Sequence, residues 1–235
     1  MLTRFTYTTA MPSQPSSSPL KRFLYENGLS LVTLGLVLLA MVGQIVFGWH
    51  EYNDELEQME LAPLALGAYL KSGHFIEATF ENWESEFLQM GLYVLLTVWL
   101  RQKGSAESKK PYEEDEVDRE PQPHKDAPWP VRAGGLWKTL YKNSLSLAFF
   151  LLFLASFFLH AYGGMEVYNI EQQHHGEPTV DLWGYMATSR FWFESLQNWQ
   201  SEFIAILSIV VLSIYLRQKG SPESKPVDMA HQDME

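Results

Sequence analysis

The stretch Leu29–Trp49, LSLVTLGLVLLAMVGQIVFGW, is apolar throughout except for Ser30, Thr33 and Gln44. At ~1.5 Å of rise per residue it matches a hydrocarbon core about 30 Å thick, and it predicts a helix that crosses a membrane. A cleaved signal peptide would show a shorter apolar core, of about 7–15 residues, and a small-x-small cleavage site; neither occurs here. Leu145–Tyr162 has the same character. It is crowded with Phe149, Phe150, Phe153, Phe157 and Phe158, and His160 lies near its outer end. It predicts a second helix of the same kind.

Two shorter apolar runs, Phe87–Leu100 and Phe203–Leu216, continue helical periodicities that begin upstream. Ile76, Phe80, Trp83 and Phe87 recur at steps of four, three and four, and Trp192, Leu196 and Trp199 repeat the pattern. Each predicts one helix of roughly 28–30 residues whose first third stands outside the bilayer. The expected spans are therefore about 29–49, 85–102, 145–162 and 201–218.

Around these runs the composition is polar, so the mean hydropathy of −0.14 averages two populations. With 17 basic against 28 acidic residues the net charge is −11, which excludes a general nucleic-acid binder. The chain has no Cys, which removes disulfides, thiolate metal sites and cysteine nucleophiles. Of the Lys and Arg residues, only Lys71 and Arg190 fall in the two segments between paired spans; those segments carry −8 and −5. Basic flanks mark the cytoplasmic side. This bias predicts that the N-terminal arm, the central segment and the tail are cytoplasmic, and that the protein is multi-pass.

At an offset of 116 residues the two halves align without a gap. Leu100–Lys109 matches Leu216–Lys225 at nine of ten positions, and Asn-Trp-x-Ser-Glu-Phe occurs at 82–87 and again at 198–203. The pairs Tyr52/Tyr168, Asn53/Asn169, Glu55/Glu171, Tyr69/Tyr185 and Phe75/Phe191 extend the match. The expected fold class is all-α. It consists of four transmembrane helices in a compact bundle, built from two tandem two-helix repeats of the same orientation, with a pseudo-two-fold axis along the membrane normal. The organisation expected is a disordered arm (1–19), repeat 1 (20–108), a linker rich in Pro and acidic residues (109–135), repeat 2 (136–225) and a tail (226–235). Leu20, Phe23, Leu24 and Tyr25, like Leu136, Trp137, Leu140 and Tyr141, suit the inner headgroup level.

The twice-occurring pattern of Asn-Trp-x-Ser-Glu-Phe, an apolar span and Leu-Arg-Gln-x-Gly-Ser-x-Glu-Ser-Lys resembles an uncharacterised family of bacterial four-span membrane proteins, known as a domain of unknown function. The resemblance covers roughly residues 20–225. It implies a bacterial inner-membrane protein and brings no activity with it.

Among ionisable residues, Glu86 and Glu202 recur at the same place in both halves, against apolar runs where carboxylates are costly and often functional. On a helical wheel Glu77, Glu81 and Glu84 cluster on one side, and Glu86 points elsewhere. If the aromatic stripe faces the two-fold axis, Glu86 and Glu202 approach each other and can share a proton or hold a cation; otherwise both sit in the headgroup zone. Asn82, Trp83 and Ser85, with Asn198, Trp199 and Ser201, form the strongest repeated motif, read as packing and interfacial anchoring. Arg101, Lys103, Arg217 and Lys219 set topology and can meet lipid phosphates, and the glycine that follows in each copy is placed to end the helix.

His174-His175 reads as solvated loop, and His160 as a haem ligand lacks an opposing His. No cofactor and no metal site is expected. No Walker loop, Gly-x-Ser-x-Gly elbow or His-Glu-x-x-His string occurs, which lowers an enzyme reading without closing it. The first expectation is a non-enzymatic structural or accessory membrane component. Its partners are the lipid bilayer and either a further copy of itself or another membrane protein, with no nucleic acid. A small cation or proton transporter using the repeated carboxylates comes second, and a membrane-embedded redox or enzyme subunit third.

Overall fold

The structure, a computed structural model, describes residues 18–229. The expected disordered arm thus falls almost wholly outside the described residues, as do the last six residues of the tail. Among the described residues every regular element is helical. The chain divides into two units, Met1–Glu51 and Tyr52–Glu235.

The described part of the first unit holds α1 (Pro19–Glu26) and most of α2 (Gly28–Gln58). Helix α1 carries Pro in its first turn, where the missing N–H costs nothing, and Arg22 pairs with Glu26 one turn on. Its Leu20, Phe23, Leu24 and Tyr25 are exposed.

The second unit begins within the last turns of α2. It continues through α3 (Leu66–Tyr69), α4 (Gly73–Trp99), α5 (Trp129–Ala133), α6 (Gly135–Lys142), α7 (Ser144–His174), α8 (Leu182–Met186) and α9 (Ser189–Tyr215). Helices α4 and α9 start where a hydroxyl takes an otherwise orphaned amide: Ser72 Oγ accepts from Phe75 N and Thr188 Oγ1 from Phe191 N, each at 3.3 Å. They stop at Trp99 and Tyr215, where the next residue turns extended. The expectation that the motif's glycine ends the helix is corrected here. Arg101 and Arg217 lay Nη1 across the last carbonyls, including those of Val98 (3.0 Å) and Ser213 (3.0 Å). Gly104 and Gly220 follow later, at φ +90° and +86°, and serve the turn beyond.

Several features recur at the 116-residue offset. Helices α2 and α7 have 31 residues each, and α4 and α9 have 27 each. The Asn53 amide brackets the backbone of Leu64, accepting from its N–H at 2.6 Å and donating to its carbonyl at 3.1 Å; Asn169 does the same to Val180 at 2.8 and 2.9 Å.

Within this unit α4 runs antiparallel to α7 and parallel to α9. Gly73 lies against Gly163 and Glu166, and Gly91 lies against Phe149 and Phe150. Gln89 Nε2 donates to the Glu202 carbonyl at 3.1 Å. The gap between α7 and α9 is filled by rings, with Phe157 edge-on to Phe191 and Phe153 edge-on to Trp199. Closest approach occurs at the glycines. A Cβ on Gly163 would sit 2.4 Å from the Glu77 amide nitrogen and 2.7 Å from the Gly73 carbonyl oxygen. Small residues let two helix backbones meet there.

Among the described residues three helices are long and apolar enough to cross a membrane: α2, α7 and α9. The expectation of four is corrected by α4. Glu77, Glu81, Glu84 and Glu86 occupy its first half, where α9 has only Glu194 and Glu202, so α4 is the less apolar of the two. In α7 and α9 the most apolar 18-residue windows are only 17% and 6% buried by protein. Surface of that kind is stable against lipid rather than water.

Residues 109–135, expected as a plain linker, carry a 3-10 turn at Glu116–Asp118 and helix α5. They are tethered by the Lys109–Asp118 and Lys142–Glu120 ion pairs and bury Ala127 and Val131.

Gly163→Ala should drive α4 away from α7, because the obstacle is backbone and cannot rotate aside. A loss of ~1–3 kcal/mol is expected. Thermal unfolding of the detergent-solubilised protein checks it, with Gly67→Ala, where a Cβ meets nothing within 4 Å, as the tolerated control.

Candidate functional site

Residues 77, 81 and 84 stand four and three apart, so α4 presents their carboxylates on one face. That face meets His160 of α7 and Glu194, Asn198 and Trp199 of α9, with Tyr185 of α8 above. The result is a buried acid–imidazole cluster where the helices converge.

The centre of the cluster is His160. Its Nδ1 lies 2.9 Å from Glu84 Oε2, and the other oxygen of that carboxylate accepts from Trp199 Nε1 at 2.9 Å. The His160 and Glu84 side chains are both 0% exposed. A carboxylate accepts, so Nδ1 carries the proton, which fixes the ring's orientation and directs Nε2 to the opposite side. Nε2 has no hydrogen-bond partner. The carboxylate facing it is Glu194, with Oε2 3.7 Å away. Phe191 tilts over the imidazole at a centroid distance of 5.1 Å and closes that side to water.

Glu194 is itself held on two sides. Its Oε1 accepts from Arg190 Nε at 3.0 Å and its Oε2 from the Tyr185 hydroxyl at 3.0 Å. Arg190 extends the network to Glu171 at 2.6 Å. The Tyr185 hydroxyl also lies 3.5 Å from Glu77 Oε1, and Asn198 Nδ2 donates to Glu81. One ligand-type atom from each of Glu77, His160 and Glu194 lies within 4.8 Å of the other two.

Acid outweighs base in this space. Burial, reinforced by the Glu194 carboxylate and only partly offset by Arg190, pushes the Glu77 carboxyl up to about 7. Burial raises Glu81 as well. The Tyr185 hydroxyl is raised by burial and by Glu77 and Glu194.

The sequence-predicted residues divide between this cluster and the surface. Trp199 and Asn198 belong to it, as donors to Glu84 and Glu81. Their counterparts do not: Trp83 is exposed and edge-on to Phe80 and Phe87, and Asn82 donates to the Ala78 carbonyl of its own helix. Ser85 and Ser201 turn their hydroxyls back to the carbonyls of Asn82 and Asn198. Glu86 is exposed and Glu202 half-buried, and neither carboxylate enters the cluster. Arg101 and Arg217 close helix ends, and Lys103 and Lys219 lie in the exposed turns that follow. His174 and His175 are exposed at the end of α7.

Glu77, Glu84, His160, Tyr185, Arg190 and Glu194 were not singled out as a site by the sequence. Two signals were present, the one-sided stripe of Glu77, Glu81 and Glu84 and a lone His ending an apolar run. The repeat pointed away from them, because the positions equivalent to Glu77, Glu84, His160 and Glu194 are Phe193, Gln200, Gln44 and Ala78.

Removing Glu84 strands two donors, the buried Nδ1–H of His160 and the Nε1–H of Trp199. Glu84→Ala should cost ~3–5 kcal/mol, and Glu84→Gln less, because its amide oxygen still accepts from Trp199. Tryptophan-fluorescence melts in detergent read both. For Glu77, the folded carboxyl keeps its proton to higher pH than the unfolded one, so its contribution favours folding below the ordinary value of 4.5 and is lost as pH rises toward about 7. In metal-free buffer the fall in melting temperature between about pH 5 and pH 8 should be smaller for Glu77→Gln than for wild type.

No curated protein and no solved structure matches the chain. A family model described as "Domain of unknown function (DUF6766)" matches residues 20–235, and the chain belongs to that family.

Proposed function

We propose that this is a multi-pass membrane protein of the bacterial inner membrane, a non-enzymatic structural or accessory component assembled from two tandem helical units of the same orientation. The observation that carries this reading is the placement of charge along parallel helices. Helices α4 and α9 both run from an acid-bearing first half, through an apolar second half, to a basic turn containing Arg101 and Lys103 or Arg217 and Lys219. That polarity suits an outer acidic end and a cytoplasmic basic end. The equal helix lengths and the twin Asn53 and Asn169 brackets support the tandem reading.

For the arm, the central segment and the tail to share the cytoplasmic side, α4 must cross together with α7. Its protein-facing side is suited to this, since Glu77 and Glu84 are buried while Met90 and Val98 are exposed. In this arrangement the acid–imidazole cluster locks the outer ends of α4, α7 and α9 together, and the exposed aromatic and apolar belt meets lipid or a partner in the membrane.

A second reading, transport of a cation or proton, is favoured by the burial of several carboxylates around one imidazole, since ionisable groups at membrane depth commonly mark ion pathways. A pore through so few helices would require several copies of the chain.

Reporter fusions test the arrangement. Fusions within 109–135 and after Met229 should fluoresce as cytoplasmic GFP and lack alkaline phosphatase activity, and fusions at Glu177 should behave oppositely. Alkaline phosphatase activity from the central segment would show that α4 does not cross and would overturn the shared orientation.

A further inference from the structure

The geometry points to a site for one divalent transition-metal ion, bound by Nε2 of His160 and by carboxylate oxygens of Glu77 and Glu194, with Glu84 as the group that orients the imidazole. Nothing in the topology reading requires this site. It rests on the local arrangement of α4, α7, α8 and α9.

Four observations converge. First, His160 Nε2 is a fully buried ring nitrogen without a hydrogen-bond partner, 3.7 Å from the Glu194 carboxylate. Second, the donor atoms of Glu77, His160 and Glu194 fall within 4.8 Å of one another, close to the reach of two metal–ligand bonds of ~2.0–2.2 Å each. Third, the far nitrogen of the same ring is held by a carboxylate, Glu84 Oε2 at 2.9 Å, which is in turn held by Trp199. A metal-bound imidazole nearly always has such a partner, which sets the tautomer and strengthens the ligating nitrogen. Fourth, Arg190 engages Oε1 of Glu194 and leaves Oε2 directed at the ring, so the arginine does not occupy the ligand position.

The donor set decides the class of ion. One imidazole with two carboxylates suits zinc, manganese, iron or cobalt in the divalent state, whereas calcium and magnesium favour oxygen alone. The Tyr185 hydroxyl lies 3.0 Å from Glu194 and 3.5 Å from Glu77, beside both carboxylates. The Glu194 side chain retains 21% of its surface, which gives the ion a route in. The ligands come from both halves of the chain. Bound metal would therefore pin α4 to α7 and α9.

The test uses the full chain in detergent, stripped of metal with a chelator and titrated with Co²⁺ and then Zn²⁺. Saturable binding of one ion per chain is expected, with visible cobalt absorbance that zinc displaces and a higher melting temperature. His160→Gln should abolish it, and Glu84→Gln should weaken it by ~10–100-fold. Size-exclusion profile and tryptophan fluorescence establish that each variant is folded. The double variant His174→Gln, His175→Gln should bind as wild type does. Absence of saturable binding in folded wild type, its survival in folded His160→Gln, or its loss in the double variant would overturn the proposal.

Discussion

The second unit depends on a polar constraint inside an apolar structure. The Glu84 carboxylate and the His160 imidazole have no access to solvent, so each lone pair or proton left unmet on them is costly. Glu84 meets this through two partners on two other helices, His160 on α7 and Trp199 on α9. Apolar contacts tolerate small slips of one helix past another. A carboxylate bridging two fixed donors does not, and the register of α4, α7 and α9 follows from it.

The glycines and the cluster are two parts of one arrangement. Gly73, Gly163 and Gly164 bring α4 and α7 together closely enough for Glu77 to sit beside Tyr185. Further along, where larger residues such as Phe149 and Phe150 separate the helices, the interface is apolar. Backbone proximity is thus concentrated at the end where charge is buried. The same end carries the Asn169 bracket, which holds the chain entering α8 and so positions Tyr185.

The helices were legible in the sequence, and the site was not. Apolar length gave α2 and α7, and the periodic Ile76, Phe80, Trp83, Phe87 stripe foretold that α4 would run unbroken through its acidic half. The stop of α4 at Trp99 was less visible, because it depends on Arg101 reaching back to carbonyls. The count of spanning helices failed at α4 for a physical reason. Four acids stand in its first half, twice the number in α9, and the partners that bury Glu84 lie some 76 to 115 residues away, where no local window shows them. The halves share Asn-Trp-x-Ser-Glu, yet of these residues only Asn198 and Trp199 in the second half, with Glu84 in the first, reach the cluster.

The buried chemistry draws Glu77 and Glu84 from one half of the chain and His160 and Glu194 from the other, at positions where the other half has Phe193, Gln200, Gln44 and Ala78. A pair of identical hairpins, related by true two-fold symmetry, is obliged to make each such constellation twice or not at all. Two halves of one chain are under no such obligation. Acids stand at 77, 84 and 194 and an imidazole at 160, each at a position its counterpart does not match, so the departures from the repeat are where a specific task would leave its mark.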